Sequence, residues 1–149
     1  MTERTVLFLC TGNFYRSRFA ESLFNALAAG AGLPWRAASR GLAVERGYNN
    51  IGAMAPSAVR ALERLGVCVG EDCARMPAPA TAADFERAQR VVALKRDEHL
   101  PLLRERFPAW AERVEFWHVD DAPAALGRIE QEVRRLVARL ANSPSEPEA

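Results

Sequence analysis

The chain has little of what usually staples or metallates a small domain: three cysteines and two histidines in 149 residues. An odd set of thiols, Cys10, Cys68 and Cys73, cannot form the even disulfide framework of small secreted domains, so a reducing, cytoplasmic setting is expected. None of these residues has metal-ligand spacing, and no zinc site or other metal is expected. A dominant charge is also missing. With 20 basic and 19 acidic residues the net charge is +1, too weak a field for non-specific nucleic-acid binding, so no nucleic-acid partner is expected. No apolar run reaches the ~20 residues of a bilayer-spanning helix, and no export leader is visible, so no membrane partner is expected either. The single lysine, Lys95, against 19 arginines suits anion recognition or reflects the gene's base composition, and decides nothing.

At 49% hydrophobic and 26% charged residues the composition is that of a self-folding globular chain. Its length leaves room for one core, so one domain over residues 1–142 is expected, followed by a disordered tail over 143–149. The apolar run Thr5–Leu9 reads as a buried parallel strand. Phe19, Leu23 and Leu27 then recur every four residues, predicting a helix over about 17–29. Trp35–Ser39 reads as a second strand, and a loop with Gly41, Gly47, Tyr48, Asn49, Asn50 and Gly52 is long enough to line a site. Pro56 opens a helix over about 56–65 that Gly66 ends, and Ala82–Ala88 reads as one or two helical turns. Further on, Arg90–Leu94 and Val114–Val119 read as strands three and four, with a helix between them over about 97–107. A last helical stripe runs from Leu126 to Leu140. Alternation of this kind implies an α/β fold: a four-stranded parallel sheet flanked by helices on both faces, with right-handed crossovers. Ligands of such folds sit beyond the carboxyl ends of the strands, which directs attention to the loop after the first one.

That loop is Cys10-Thr11-Gly12-Asn13-Phe14-Tyr15-Arg16-Ser17. A cysteine followed six positions on by an arginine is weak by itself, and a buried apolar Cys with a solvated Arg is the bland reading. Position sharpens it. Cys10 closes a buried strand, Gly12 and Asn13 tolerate left-handed backbone, and Ser17 stands where a helix begins. A sharp turn into a helix aims successive amide N–H groups at one spot, to which the helix dipole adds positive potential. An oxyanion is the natural occupant, and Arg16 can fork two donors onto two oxygens of a phosphate. The same field favours a thiolate, since cysteines so placed titrate at about 3.5 to 7.5. Cys68 and Cys73 have no such surroundings.

On these residues the chain resembles a low-molecular-weight protein tyrosine phosphatase. The likeness takes in the strand Val6–Leu9, the loop Cys10–Ser17, Ala20-Glu21, Ser39 after the second strand, Pro56, Gly66 and an Asp near the carboxyl end. It implies a phosphate-binding loop after strand one, no metal or cofactor, and hydrolysis of phosphate monoesters through a phosphocysteine. Cys10 would be the nucleophile, Arg16 the phosphate clamp, and the amides of Thr11, Gly12, Asn13, Phe14, Tyr15, Arg16 and Ser17 the cradle. Asn13 and Ser39 would brace the loop. Ser17 would hydrogen-bond the sulfur, cap the helix, or both.

The leaving group also calls for a general acid. Where the family keeps Asp-Pro, this chain reads Asp120-Asp121-Ala122-Pro123. Counting from the fourth strand places Asp121 in the acid role with Asp120 behind it. Neighbouring carboxylates of an extended chain point to opposite sides, so one alone faces the sulfur; alternatively both merely open the last helix. Phe14 and Tyr15 stand where the family often has a smaller aliphatic and a second Cys, and Arg18 replaces a common Pro. Phe14 is expected to narrow the pocket and stack on an aryl group, with Tyr48 as the other wall or as core. This makes phosphotyrosine in a protein, or a small aryl phosphate, the expected substrate; the resemblance disfavours phosphoarginine, since relatives associated with it tend to carry a small polar residue where Phe14 stands. His99 and His118 are read as structural, and the oligomeric state is left open. Two rivals stay open as well: a thioredoxin-coupled arsenate reductase, which needs a relay thiol where Leu94-Lys95 stands, and a phosphate-binding module without catalysis.

Overall fold

The computed structural model describes residues 3–67 and 74–142. Cys68, Cys73 and the tail lie outside the described residues. Four strands, β1 (Arg4–Cys10), β2 (Trp35–Gly41), β3 (Arg90–Ala93) and β4 (Glu115–Phe116), form one sheet of order β2-β1-β3-β4 in which every pair is parallel. Among the described residues five α-helices accompany them: α1 (Arg16–Gly30), α2 (Pro56–Arg64), α3 (Ala82–Arg87), α4 (Arg96–Arg106) and α5 (Ala125–Asn142). The α/β expectation is met. One expected strand is much shorter: of Val114–Val119 only two residues pair as a regular strand. Beyond them the chain still follows β3 through Trp117 N–H to Ala93 O (2.9 Å) and Val119 N–H to Leu94 O (2.8 Å). As the sheet's edge, this segment is held by a partner on one side only.

Strand alternation creates two cores. Val6 and Phe8 of β1, with Val92 and Leu94, face a core built with α1, α2 and α5, where Phe8 packs against Phe24 and Trp117. On the other face Leu7, Leu9, Val91 and Ala93 meet Phe85 of α3 and Leu100 and Leu103 of α4. Each fully buried large apolar side chain contributes roughly 1.5–3 kcal/mol, so the sheet is anchored on both sides. Local signals delimit the helices. Pro56 occupies the first turn of α2, and Thr81 and Asp84 form a reciprocal cap on α3.

Because β1 is central and its neighbours β2 and β3 are reached in opposite directions, the crossovers part at the carboxyl ends of β1 and β3. The loop of residues 11–15 and the start of α4 flank that crevice.

Candidate active site

Cys10 is the last paired residue of β1, set opposite Gly41 and 3% exposed. Its carbonyl accepts from Leu42 N–H (2.8 Å) and that of Thr11 from Ala43 N–H (2.9 Å), which ties the start of the loop to the end of β2. Gly41 makes this approach possible: a Cβ there would lie 2.8 Å from the Thr11 carbonyl oxygen. Past Thr11 the backbone turns through Asn13 at φ 52°, the only non-glycine residue with positive φ among those described. Among the described residues no backbone hydrogen bond uses an amide of residues 11–15 as donor. The Tyr15 backbone precedes α1 without a side-chain cap, so Ser17, already inside the helix, is free of the capping role and turns its hydroxyl to the sulfur.

Asn13 is fully buried and organises the loop. Its Oδ1 accepts from the Ala78 amide (3.0 Å) and from Arg75 Nη1 (3.2 Å), both obligate donors, which fixes the orientation of the side-chain amide. Its Nδ2 therefore donates to Ser17 Oγ and Ser39 Oγ, each at 2.9 Å. Ser39 in turn donates to Glu21 Oε1 (2.6 Å), where Arg75 also binds (3.2 Å). With its oxygen already accepting from Asn13, Ser17 has its proton available for Cys10 Sγ, 3.0 Å away. The structure thus brings together Cys10, Asn13, Ser17 and Ser39. It also adds Arg75, which no sequence signal had marked.

Arg16 opens α1, is 4% exposed, and reaches back beneath the loop. It donates from Nη1 to Val119 O (3.0 Å) and from Nη2 to Glu98 Oε2 (2.6 Å), and its Nε lies 3.9 Å from Asp121 Oδ1. Burial alone would lower its pKa, but the bond to Glu98 and the charges of Cys10, Glu98 and Asp121 outweigh that and raise it. Glu98 was not anticipated. It sits on α4, accepts from Thr11 Oγ1 (2.5 Å) as well as Arg16, and lies 3.2 Å from His99 Nε2. The His99 ring is buried, and its Nδ1 accepts from Lys95 N–H (3.0 Å), so the neutral ring carries its proton on Nε2. That nitrogen makes no hydrogen bond, although Glu98 Oε2 is 3.2 Å away. Burial would raise the Glu98 carboxyl, but the neighbouring His99 ring, the hydrogen bonds from Arg16 and Thr11 and the Arg16 charge hold it far below the usual carboxylate range. The signal that would have found it is topological: Asp97-Glu98-His99 opens the helix on the β3 side of the crevice.

The two aspartates part, although not along an extended chain: the Ala122 N–H donates to Asp120 O (3.0 Å), which makes a tight turn centred on Asp121. Asp120 pairs with Lys95 Nζ at 2.8 Å, a bond that lowers its own pKa and raises that of Lys95. Asp121, 67% exposed, faces Arg16. A cleft of about 470 Å³ opens over these groups, lined by Cys10, Thr11, Gly12, Phe14, Arg16 and Asp121 among others. Phe14 and Tyr15 are partly buried against the core and also face the cleft, and the Tyr15 hydroxyl donates to Ala122 O (3.3 Å), linking the cysteine loop to the aspartate segment. Arg18 is buried and donates to Ala53 O (2.7 Å), tying down the loop of the opposite wall. One expectation is corrected. Tyr48 is 82% exposed and lines no part of the cleft; its neighbours Gly47, Asn49 and Asn50 do so instead, because the short 3-10 turn Val44–Gly47 points the tyrosine outward.

Residues 5–145 match a family model described as low molecular weight phosphotyrosine protein phosphatase. Among solved structures, the SP-PTP low molecular weight protein tyrosine phosphatase from Streptococcus pyogenes is 17% identical, with 97% of this chain and 95% of that one covered and a TM-score of 0.74. A low molecular weight protein tyrosine phosphatase from T. tengcongensis is 23% identical over 93% and 95%, with a TM-score of 0.70. The YwlE arginine phosphatase from Geobacillus stearothermophilus is 22% identical over 92% of each chain, again with a TM-score of 0.70. At these identities the likeness shows a shared fold. No curated protein sequence matches.

Proposed function

The chain belongs to the low molecular weight phosphotyrosine protein phosphatase family, and from that premise we propose that it hydrolyses aryl phosphate monoesters, phosphotyrosine first among them, through a phosphocysteine. The observation that carries this reading is the Cys10 sulfur, 3.0 Å from a Ser17 hydroxyl whose proton Asn13 leaves free for it, at the mouth of a loop whose residues 11–15 donate no backbone hydrogen bond among the described residues. The phosphoryl group sits on those amides and on Arg16. Such preorganised donors stabilise the charge of the transition state without reorganising. The sulfur attacks phosphorus as the bond to the aryl oxygen breaks, and Asp121 delivers its proton to that oxygen. Asp121, now a carboxylate, takes a proton from water. The water oxygen then attacks phosphorus, the P–S bond breaks, and Ser17 stabilises the departing sulfur anion. Arg16, the loop amides and Asp121 supply the charge and proton transfer that both steps need, so the mechanism calls on no metal.

Phe14 beside the cleft favours an aromatic leaving group over phosphoarginine, although arginine phosphatases share the fold. The reductase reading finds no thiol at the end of β3, where Leu94 and Lys95 stand. Steady-state turnover of p-nitrophenyl phosphate in the presence of a chelator tests the proposal. Turnover should vanish in Cys10→Ser, and rapid acid quenching should trap a phosphate on Cys10 by mass spectrometry. Undiminished turnover in Cys10→Ser would end the claim, and a phosphate-binding module would show binding without turnover.

A further inference from the structure

Past Val119, whose N–H bonds Leu94 O at the end of β3 (2.8 Å), the chain carries the candidate acid to the cleft without regular structure until α5 begins at Ala125. Asp121 is 67% exposed, so packing does not fix its carboxylate, and the place of its backbone decides where the proton donor stands. The tight turn around Asp121 ends at Ala122, whose carbonyl accepts from Ala125 N–H (2.9 Å) as the helix opens. Onto that same oxygen the Tyr15 hydroxyl donates from the cysteine loop (3.3 Å). A carbonyl oxygen has two lone pairs, so both bonds are made at once.

Tyr15 is suited to hold that turn. It is the residue before α1, joined directly to Arg16, and its ring packs against the core while lining the cleft. The packing has no use for the hydroxyl, since a phenylalanine would fill the same space. Another tie of the segment, Asp120 to Lys95, runs through a carboxylate that is 76% exposed, where solvent screens the pair. Burial and the Asp121 charge raise the Tyr15 phenol above its ordinary value although the Arg16 charge lowers it, so the hydroxyl keeps the proton it donates. At 3.3 Å the bond is long for an O–H···O contact, as those of a catalytic site often are before a substrate tightens them.

We propose that Tyr15 is a positioning residue whose hydroxyl, through Ala122 O, holds the turn that presents Asp121 to the leaving oxygen of a substrate seated on the cysteine loop. This rests on the phosphatase reading of the cleft and on Asp121 as its acid. Tyr15→Phe removes the bond and keeps the ring. The test measures kcat/KM of the full chain, which reports phosphoryl transfer to the sulfur, on p-nitrophenyl phosphate and on phenyl phosphate, whose more basic leaving oxygen depends more on a delivered proton. In Tyr15→Phe the loss on phenyl phosphate should exceed that on p-nitrophenyl phosphate by about 10-fold, part of the ~10²-fold that a misplacement of about 1 Å can cost. The inhibition constant of inorganic phosphate should stay within about twofold, because Arg16 and the loop amides are untouched. In an Asp121→Asn background the same substitution should cost nothing further, the coupling expected of a residue that acts through another. Should the phenylalanine variant not fold, Tyr15→Met should give the same substrate pattern. Equal losses on the two substrates, a loss that persists beside Asp121→Asn, or wild-type rates in Tyr15→Phe would overturn the proposal and leave the phosphatase reading in place. No turnover of either substrate by the wild type would remove that reading and the proposal together.

Discussion

Replacing Asn13 by alanine separates a structural brace from an incidental loop residue. The side chain makes four hydrogen bonds, to Ser17, Ser39, Arg75 and the Ala78 amide, and is wholly buried. A typical hydrogen bond contributes about 0.5–1.5 kcal/mol net, and the buried donors and acceptors left behind keep their desolvation cost. Alanine must also adopt φ near the 52° that asparagine tolerates, adding about 1 kcal/mol. Together these give a loss of about 3–5 kcal/mol, a large share of the ~5–15 kcal/mol that holds a domain together. At roughly 2–4 °C per kcal/mol for a chain of this size, the melting temperature should fall by about 6–20 °C. Urea titration followed by circular dichroism measures the free energy directly. Asn13→Gly isolates the backbone contribution: it should recover about 1 kcal/mol of the loss and no more. With no donor to orient Ser17, turnover by the folded fraction should also fall by about 10- to 100-fold. A loss below about 1 kcal/mol in Asn13→Ala, or an Asn13→Gly protein as stable as the wild type, would refute the brace.

Asp121→Asn should reduce kcat by about 10² to 10⁴ while Asp120→Asn leaves it within a few-fold, because Lys95 holds Asp120 aside; p-nitrophenyl phosphate kinetics decide, and the reverse order would move the acid one residue back. The Glu98 carboxyl is held below its ordinary value, so its contribution to stability is complete above the unfolded carboxyl pKa of about 4.3 and fades as pH falls toward the folded one. The stability gap between wild type and Glu98→Gln should therefore be widest near neutrality and close under acid, as urea titrations at several pH values would show; a gap that does not vary with pH contradicts it. Gly41→Ala should destabilise by about 1–3 kcal/mol, since its methyl meets the Thr11 carbonyl and Val44, and thermal melting beside a conservative control on β2 checks this.

The sequence by itself determined the α/β class, the run of strands and helices, and the position of the Cys10–Ser17 loop. These are written in local information: a two-sided apolar strand, a four-residue apolar repeat, and glycine and asparagine where the chain must turn. It left open which of Asp120 and Asp121 faces the sulfur; the pairing of Asp120 with Lys95 and the approach of Asp121 to Arg16 came only with the tertiary structure. What tertiary structure alone decided is everything that reaches the site from afar. Glu98 lies 82 positions from the Arg16 it holds, Arg75 lies 62 from Asn13, and Tyr48 stands in solvent rather than beside Phe14. No periodicity along the chain encodes such meetings. They follow from the sheet order: β3 beside β1 brings the start of α4, with Glu98, to Arg16, while β2 on the other side of β1 brings Ser39 and the segment with Arg75 and Ala78 to Asn13.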